Sequence, residues 1–188
     1  MRRIGVALAG IVSAIALVLS GTASAKVLEM DTFHDEFSDR VARFCDVDGL
    51  TVDIDFTVDG RFLVKSKGAD QLAYYAEHVK VHQVITNRAS GAFVTEVDTV
   101  LDKDQRVTNN GDGTLTVLIL ATGNATVYDE NGRAIARNPG QVRYKILLDH
   151  NGTPRDPSDD EFLEFLGTVK GSTGRTDDFC ATIVNAIG

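Results

Sequence analysis

From Leu50 to Val169 apolar and polar residues take turns along the chain, and clusters of Gly, Asn and Asp break the alternation into short runs. Side chains of an extended strand point to opposite faces with period two, so the pattern describes strands with one dry and one wet face, joined by tight local turns. Val52, Ile54 and Phe56 alternate with Thr51, Asp53 and Asp55. Val58-Asp59-Gly60 then reads as a three-residue hairpin loop, with Gly60 at the left-handed bulge position, because that register sets Phe56 against Phe62 and Ile54 against Val64.

The same logic runs on down the chain. His78 to Thr86 shows Val79, Val81 and Ile85 on one face, and after a turn at Asn87–Gly91 the residues Phe93, Thr95, Val97, Thr99 and Leu101 alternate with Glu96 and Asp98. Asn109–Gly113 is a second strong turn. Leu115 to Ala121 is apolar on both faces, as a central strand should be, and Asp129-Glu130-Asn131-Gly132 suits a type I′ hairpin. Val142, Tyr144, Ile146 and Leu148 make another strand, Phe162 to Val169 a further one, and Phe179 to Ile187 either a closing strand or a short helix. Phe33, Phe37, Val41 and Phe44, at spacings of four, four and three, fit a short amphipathic N-terminal helix before Cys45, or an extended run. The expected fold is all-β, an antiparallel meander closed into an eight-stranded up-and-down β-barrel, because closure removes sticky edges. A β-sandwich is the alternative.

Residues 1–25 carry Arg2 and Arg3, an apolar run from Ile4 to Leu19 and then Ala23-Ser24-Ala25. This is the order of a secretory signal peptide with cleavage after Ala25, and the run is short for a membrane span. Residues 26–188 then form one secreted domain, undivided by repeat, low-complexity tract or linker. The whole chain has 19 basic and 27 acidic residues, and with Arg2 and Arg3 removed the formal charge falls to −10. Such a surface excludes nucleic acid and anionic lipid as expected partners and serves solubility. Cys45 and Cys180 are the two cysteines, one near each end of the domain, and in an oxidising compartment they read as a structural disulfide.

Candidate chemistry is sparse. His150 to Phe162, with Asp149 before it, offers Asp149, Asn151, Asp156, Asp159, Asp160 and Glu161. Calcium takes about six to eight oxygens, so a Ca2+ site is one reading, but the spacing is not that of an EF-hand and Asn151-Gly152 and Asp156-Pro157 form turns unaided. His34, His78, His82 and His150 show no ligand spacing, and no serine sits in a G-x-S-x-G elbow. Tyr74, Tyr75, Glu96 and Tyr144 are the candidates for holding a ligand. The pairs Asp53 with Asp55 and Glu96 with Asp98 read as surface charge on polar strand faces.

The segments FCDVDGLTV, NNGDGTLTV, HNGTPRDPSDDEF and STGRTDDFC resemble those of small, uncharacterised secreted proteins of actinobacteria. The resemblance spans most of the domain and implies an exported β domain with its terminal segments joined by cystine; it brings no activity. Size and meander pattern are similar to lipocalin and allene oxide cyclase barrels, without the motifs of either. The leading expectation is a binding module for a small apolar or amphipathic ligand. The alternatives are a barrel isomerase or cyclase using Glu96 or Glu164, and an extracellular interaction or inhibitor domain acting through Tyr74, Tyr75 and the acidic turn.

Overall fold

The structure is a computed structural model that describes residues 25–188. The leader expected over residues 1–25 falls, but for its last residue, outside them. Seven strands follow one another: β1 Lys26–Ala42, β2 Thr51–Lys67, β3 Leu72–Asn87, β4 Phe93–Asn109, β5 Thr114–Tyr128, β6 Ala134–Asp149 and β7 Glu161–Lys170, with a helix α1 over Phe179–Ile187. They form one antiparallel sheet in sequence order, so the all-β meander holds. Among the described residues β1 and β7 are edges, and the sheet is open between them.

Seven strands stand where eight were expected: one turn signal gave way and Phe179–Ile187 is helix, while the N-terminal run adds a strand. Asp59-Gly60 is no turn: β2 runs straight from Thr51 to Lys67, pairing Asp59 with His34 and Lys80. Gly60 lies opposite Phe33, and a Cβ there would sit 2.0 Å from the tip of the Phe33 ring. The glycine makes room for an aromatic from the edge strand, which covers backbone that glycine would leave bare. The true β2–β3 turn comes at Gly68–Gln71, where Gly68 has φ 76° and Gln71 φ 52°. The expected N-terminal helix is β1 instead. Spacings of four are multiples of two as well as near multiples of 3.6, and Phe33, Phe37 and Val41 share one face of a strand, with Phe37 stacked on Phe56 at 4.6 Å.

The turns at Asn87–Gly91 and Asn109–Gly113 hold. At Asp129–Gly132 only Gly132 has a positive φ, so the loop is not type I′; Asp129 Oδ1 accepts from Asn131 N and Arg133 N at 3.0 and 2.9 Å and shapes it instead. β5 is an interior strand, between β4 and β6, with Leu115, Val117 and Leu120 buried.

Residues 179–187 resolve as helix. Asp178 caps it by accepting from Ala181 N at 2.9 Å, and Asn87 Nδ2 donates to Ile187 O at 2.7 Å at its far end. Ile183 and Ile187 pack on Val52, Ile54, Ile85, Val94, Val127 and Ala136. The Cys45–Cys180 disulfide ties the first turn of this helix to the chain just after β1. Asp178→Ala is expected to lose about 1 kcal/mol of stability, the usual worth of an acidic N-cap, in a urea titration; an unchanged midpoint would show that the cystine alone fixes the helix start.

Candidate functional site

Strand register assigns every side chain of β2–β6 to the helix-bearing face or to its reverse. Val52, Ile54, Phe56, Val58, Phe62 and Val64 take the helix-bearing face from β2, as the sequence indicates, and pair in register with the odd positions of β3. β4 turns out the other way from expectation. The partners Ile85↔Val94, Gln83↔Glu96, Val81↔Asp98 and Glu77↔Asp102 put Val94, Glu96, Asp98, Val100, Asp102 and Asp104 on the helix-bearing face. Phe93, Thr95, Val97, Thr99 and Leu101 go to the reverse, and Phe93 is exposed. A one-residue change of parity exchanges the faces of a whole strand, and the lengths of the flanking turns fix it here.

Glu96, Asp98, Asp102 and Asp104 therefore line the middle of a face whose two ends are apolar. One end is the cluster under α1; the other gathers Leu72, Val107, Leu115 and Val117. From Glu96 to Asp104 the row runs about 26 Å. Glu77 of β3 lies directly opposite Asp102. Apart from Lys67, every lysine and arginine of β2–β6 takes the reverse face by register, Arg61, Lys80, Lys103 and Arg143 among them. Only Lys67, at the end of β2, comes near enough for its charge to act on Asp104.

Crowding acids together without cations raises their affinity for protons. Burial pushes Glu96 up to about 7, helped by the charge of Asp98 beside it. Burial also raises Asp98 and Asp102, and the charge of Glu77 adds to the second. Asp104 rises to about 6 through burial, although it accepts from Tyr75 N at 2.7 Å. The Oδ1 atoms of Asp98 and Asp102 are buried with no hydrogen-bond donor. For Asp98 the proton held by Glu96 is the natural donor, since two adjacent carboxyls share one proton more readily than they bear two charges.

The aromatic candidates divide. Tyr75 and Tyr144 join the row: burial pushes Tyr75 up to about 12, and the charges of Asp102 and Asp104 act on both hydroxyls. Tyr75 stacks on Phe62 at 5.9 Å and Tyr144 tilts against Phe165 at 5.9 Å. Tyr75 lies within β3, and Tyr144 within β6 as its alternation indicates. Tyr74 packs instead against the cluster of Leu72, Val107, Leu115 and Val117 and lies under Lys67 Nζ, 4.4 Å from the ring centroid. Glu164 is exposed on β7 opposite Leu147, on the reverse face and apart from Glu96.

A cavity of about 320 Å3 opens beside the row, between Asp98, Val100, Asn138, Val142 and a floor of Ala121, Gly123, Ala125 and Gly140. The floor is deep because its side chains are small. Ser172, on the segment after β7, closes one wall, its Oγ 2.5 Å from where a Cβ on Gly140 would lie. A larger cavity of about 690 Å3, between Met30, Arg61, Leu63, His78 and Leu101, belongs mostly to the reverse face and meets the carboxylate row only through Phe62 and Glu77.

The acidic loop turns several of its oxygens on itself, while Asp160 Oδ1 is buried without a donor. Asp149 Oδ1 accepts from Asn151 N, Asp156 Oδ1 from Ser158 N, and both carboxylate oxygens of Asp159 lie 2.7 Å from the Thr153 hydroxyl. Asn151 Nδ2 donates to Asp159 O, and burial raises Asp160 to about 6. Among the described residues no group of three or more His, Cys, Asp or Glu is placed to hold a metal ion. Nor is any helix among them long and apolar enough to cross a membrane. No family model, curated protein or solved structure matches the chain.

Sequence reasoning passed over Asp102 and Asp104 and set Glu96 with Asp98 aside as surface charge. The available signal was Val94, Val100 and Val107 lying among the acids of β4. Val94 and Val107 are buried.

Proposed function

We propose that this is an exported binding module whose helix-bearing face takes a small amphipathic molecule carrying an organic cation, such as an ammonium or guanidinium group on an apolar body. The observation that carries the reading is the β4 carboxylate row, partly desolvated, free of interior cations on its own face and set between two apolar clusters. Aromatic faces and carboxylates together attract organic cations, and Phe62, Tyr75, Tyr144 and Phe165 stand beside Asp102 and Asp104. The adjoining cavity of about 320 Å3, which meets the row at Asp98, is within the range that holds the apolar body of one small ligand. Above about pH 7 the row carries negative charge with no cation beside it, and that charge is what a bound cation would meet. Export fits the cystine and the charged, apolar, small-residue order of residues 1–25.

Calorimetry with matched probes tests the reading. At pH 8 benzyltrimethylammonium and phenethylamine are expected to bind and phenylacetate is not. Asp102→Asn combined with Tyr75→Leu should weaken the ammonium probes by about tenfold, the scale of one charge and one aromatic contact. Equal binding of phenylacetate, or no loss in the double variant, would refute it.

A further inference from the structure

β7 differs from the other strands in its period. Its residues repeat in threes, Glu161-Phe162-Leu163, Glu164-Phe165-Leu166 and Gly167-Thr168-Val169, and its pairing with β6 slips one residue in each triplet. Phe162, Phe165 and Thr168 lie opposite Leu148, Ile146 and Tyr144 on the helix-bearing face, and Glu161, Glu164 and Gly167 take the reverse. Leu163, Leu166 and Val169 are the residues skipped at the slips, so they have no partner on β6. They are 46, 43 and 56 % exposed, and Phe162 and Phe165 are 59 and 54 % exposed. Of the thirteen exposed large apolar side chains among the described residues, these five fall in one ten-residue edge strand. A monomer in water rarely leaves so dense an apolar patch open.

We propose that β7 is the contact by which two copies of this chain pair, antiparallel, about a two-fold axis between Phe165 and Leu166. Self-complementarity selects the partner. In that register Glu161 of each copy faces Lys170 of the other, giving two opposite-charge pairs at the ends of the contact, while Phe162 meets Val169 and Phe165 meets Leu166. Shifting by one residue either way sets Lys170 or Glu161 against an apolar residue. An isologous contact of this kind closes at two copies. The other edge cannot pair with its own copy so readily: β1 carries Glu29, Asp31, Asp35, Glu36 and Asp39 against Lys26 and Arg40, an acid excess that repels a second β1. A β1–β7 contact would leave a free edge at each end and grow into a filament. The inference does not depend on the ligand reading above.

Sedimentation equilibrium on the disulfide-bonded protein, up to about 100 μM, is the test. A dimer is expected. Lys170→Glu should raise its dissociation constant by roughly tenfold, since each end of the contact then sets two acids face to face. Adding Glu161→Lys to that variant should restore the dimer, and Leu166→Asp should leave monomer, with the circular dichroism spectrum unchanged throughout because all three positions are exposed. A monomer at every concentration, or a species that keeps growing with concentration, overturns the proposal. So does a dimer indifferent to Leu166→Asp; failure of the charge swap to restore pairing overturns the register.

Discussion

Replacing Cys45 and Cys180 by serine is expected to cost about 4 to 5 kcal/mol, because the bridge spans 135 residues and a loop of that length loses the most entropy when closed in the unfolded chain. For a domain of this size that lowers the melting temperature by roughly 10 to 18 °C. The loss should concentrate at one end of the molecule. α1 is nine residues long, too short to be helical alone, and Cys180 sits in its first turn. Without the tether, Ile183 and Ile187 hold the helix by packing alone, over a cluster that includes Ile85, Val94 and Val127. Hydrogen exchange at Ile183–Ile187 should therefore speed up more than exchange in β5. Equal acceleration in both places would mean that the helix and sheet open as one unit and that the bridge acts only through the unfolded chain.

Acidification from pH 8 to about pH 5 is expected to stabilise this protein. Glu96 rises from an ordinary 4.5 to about 7 and Asp104 from 3.8 to about 6, both chiefly by burial. A carboxyl that holds its proton more tightly folded than unfolded contributes stability that is whole below its unfolded value and is lost as pH climbs through the folded one. For these two the loss runs from about pH 4 to about pH 7 and amounts to on the order of 3 kcal/mol, after discounting Glu96 for the solvent that reaches it. Asp98 and Asp102 shift in the same direction. Asp53, Asp112, Asp156 and Asp177 shift down, through hydrogen bonds from Arg40, Thr114, Ser158 and Arg175, and their contribution disappears only below about pH 4. The melting temperature should peak near pH 5 and fall toward pH 8. Glu96→Gln should flatten the descending limb and gain about 1 kcal/mol at pH 8. A profile that rises steadily from pH 5 to 8 would mean that the row is hydrated.

Much of the sheet was readable because three of its turns carry their own chemistry. Asn87–Gly91, Asn109–Gly113 and Asp129–Gly132 all turn the chain, and β2, β3 and β6 bury the faces their alternation names. What escaped depended on partners distant in sequence. Gly60 looks like a hairpin until Phe33, 27 residues earlier, lies across it. Phe33, Phe37 and Val41 fit both periods, and only pairing with β2 decides between them. Phe179–Ile187 was open between strand and helix, and the Asp178 cap settles it. The candidate site suffered most. β4 has apolar residues on both faces, so local pattern favoured the side with Phe93 and Val97, whereas register with β3 and β5 turned its acids toward the helix-bearing face. The period of three in β7 was visible throughout as two consecutive Glu-Phe-Leu triplets, but a search for alternation passes over it.

A carboxyl-carbon NMR titration of the aspartate and glutamate side chains, repeated with benzyltrimethylammonium present, meets the carboxylate row directly. Glu96 should titrate near 7 and Asp104 near 6 in the free protein, and Asp102 and Asp104 should shift downward when the cation binds. Titration of Glu96 at its ordinary 4.5 and Asp104 at 3.8, unmoved by the cation, would contradict both the desolvated row and the ligand class drawn from it.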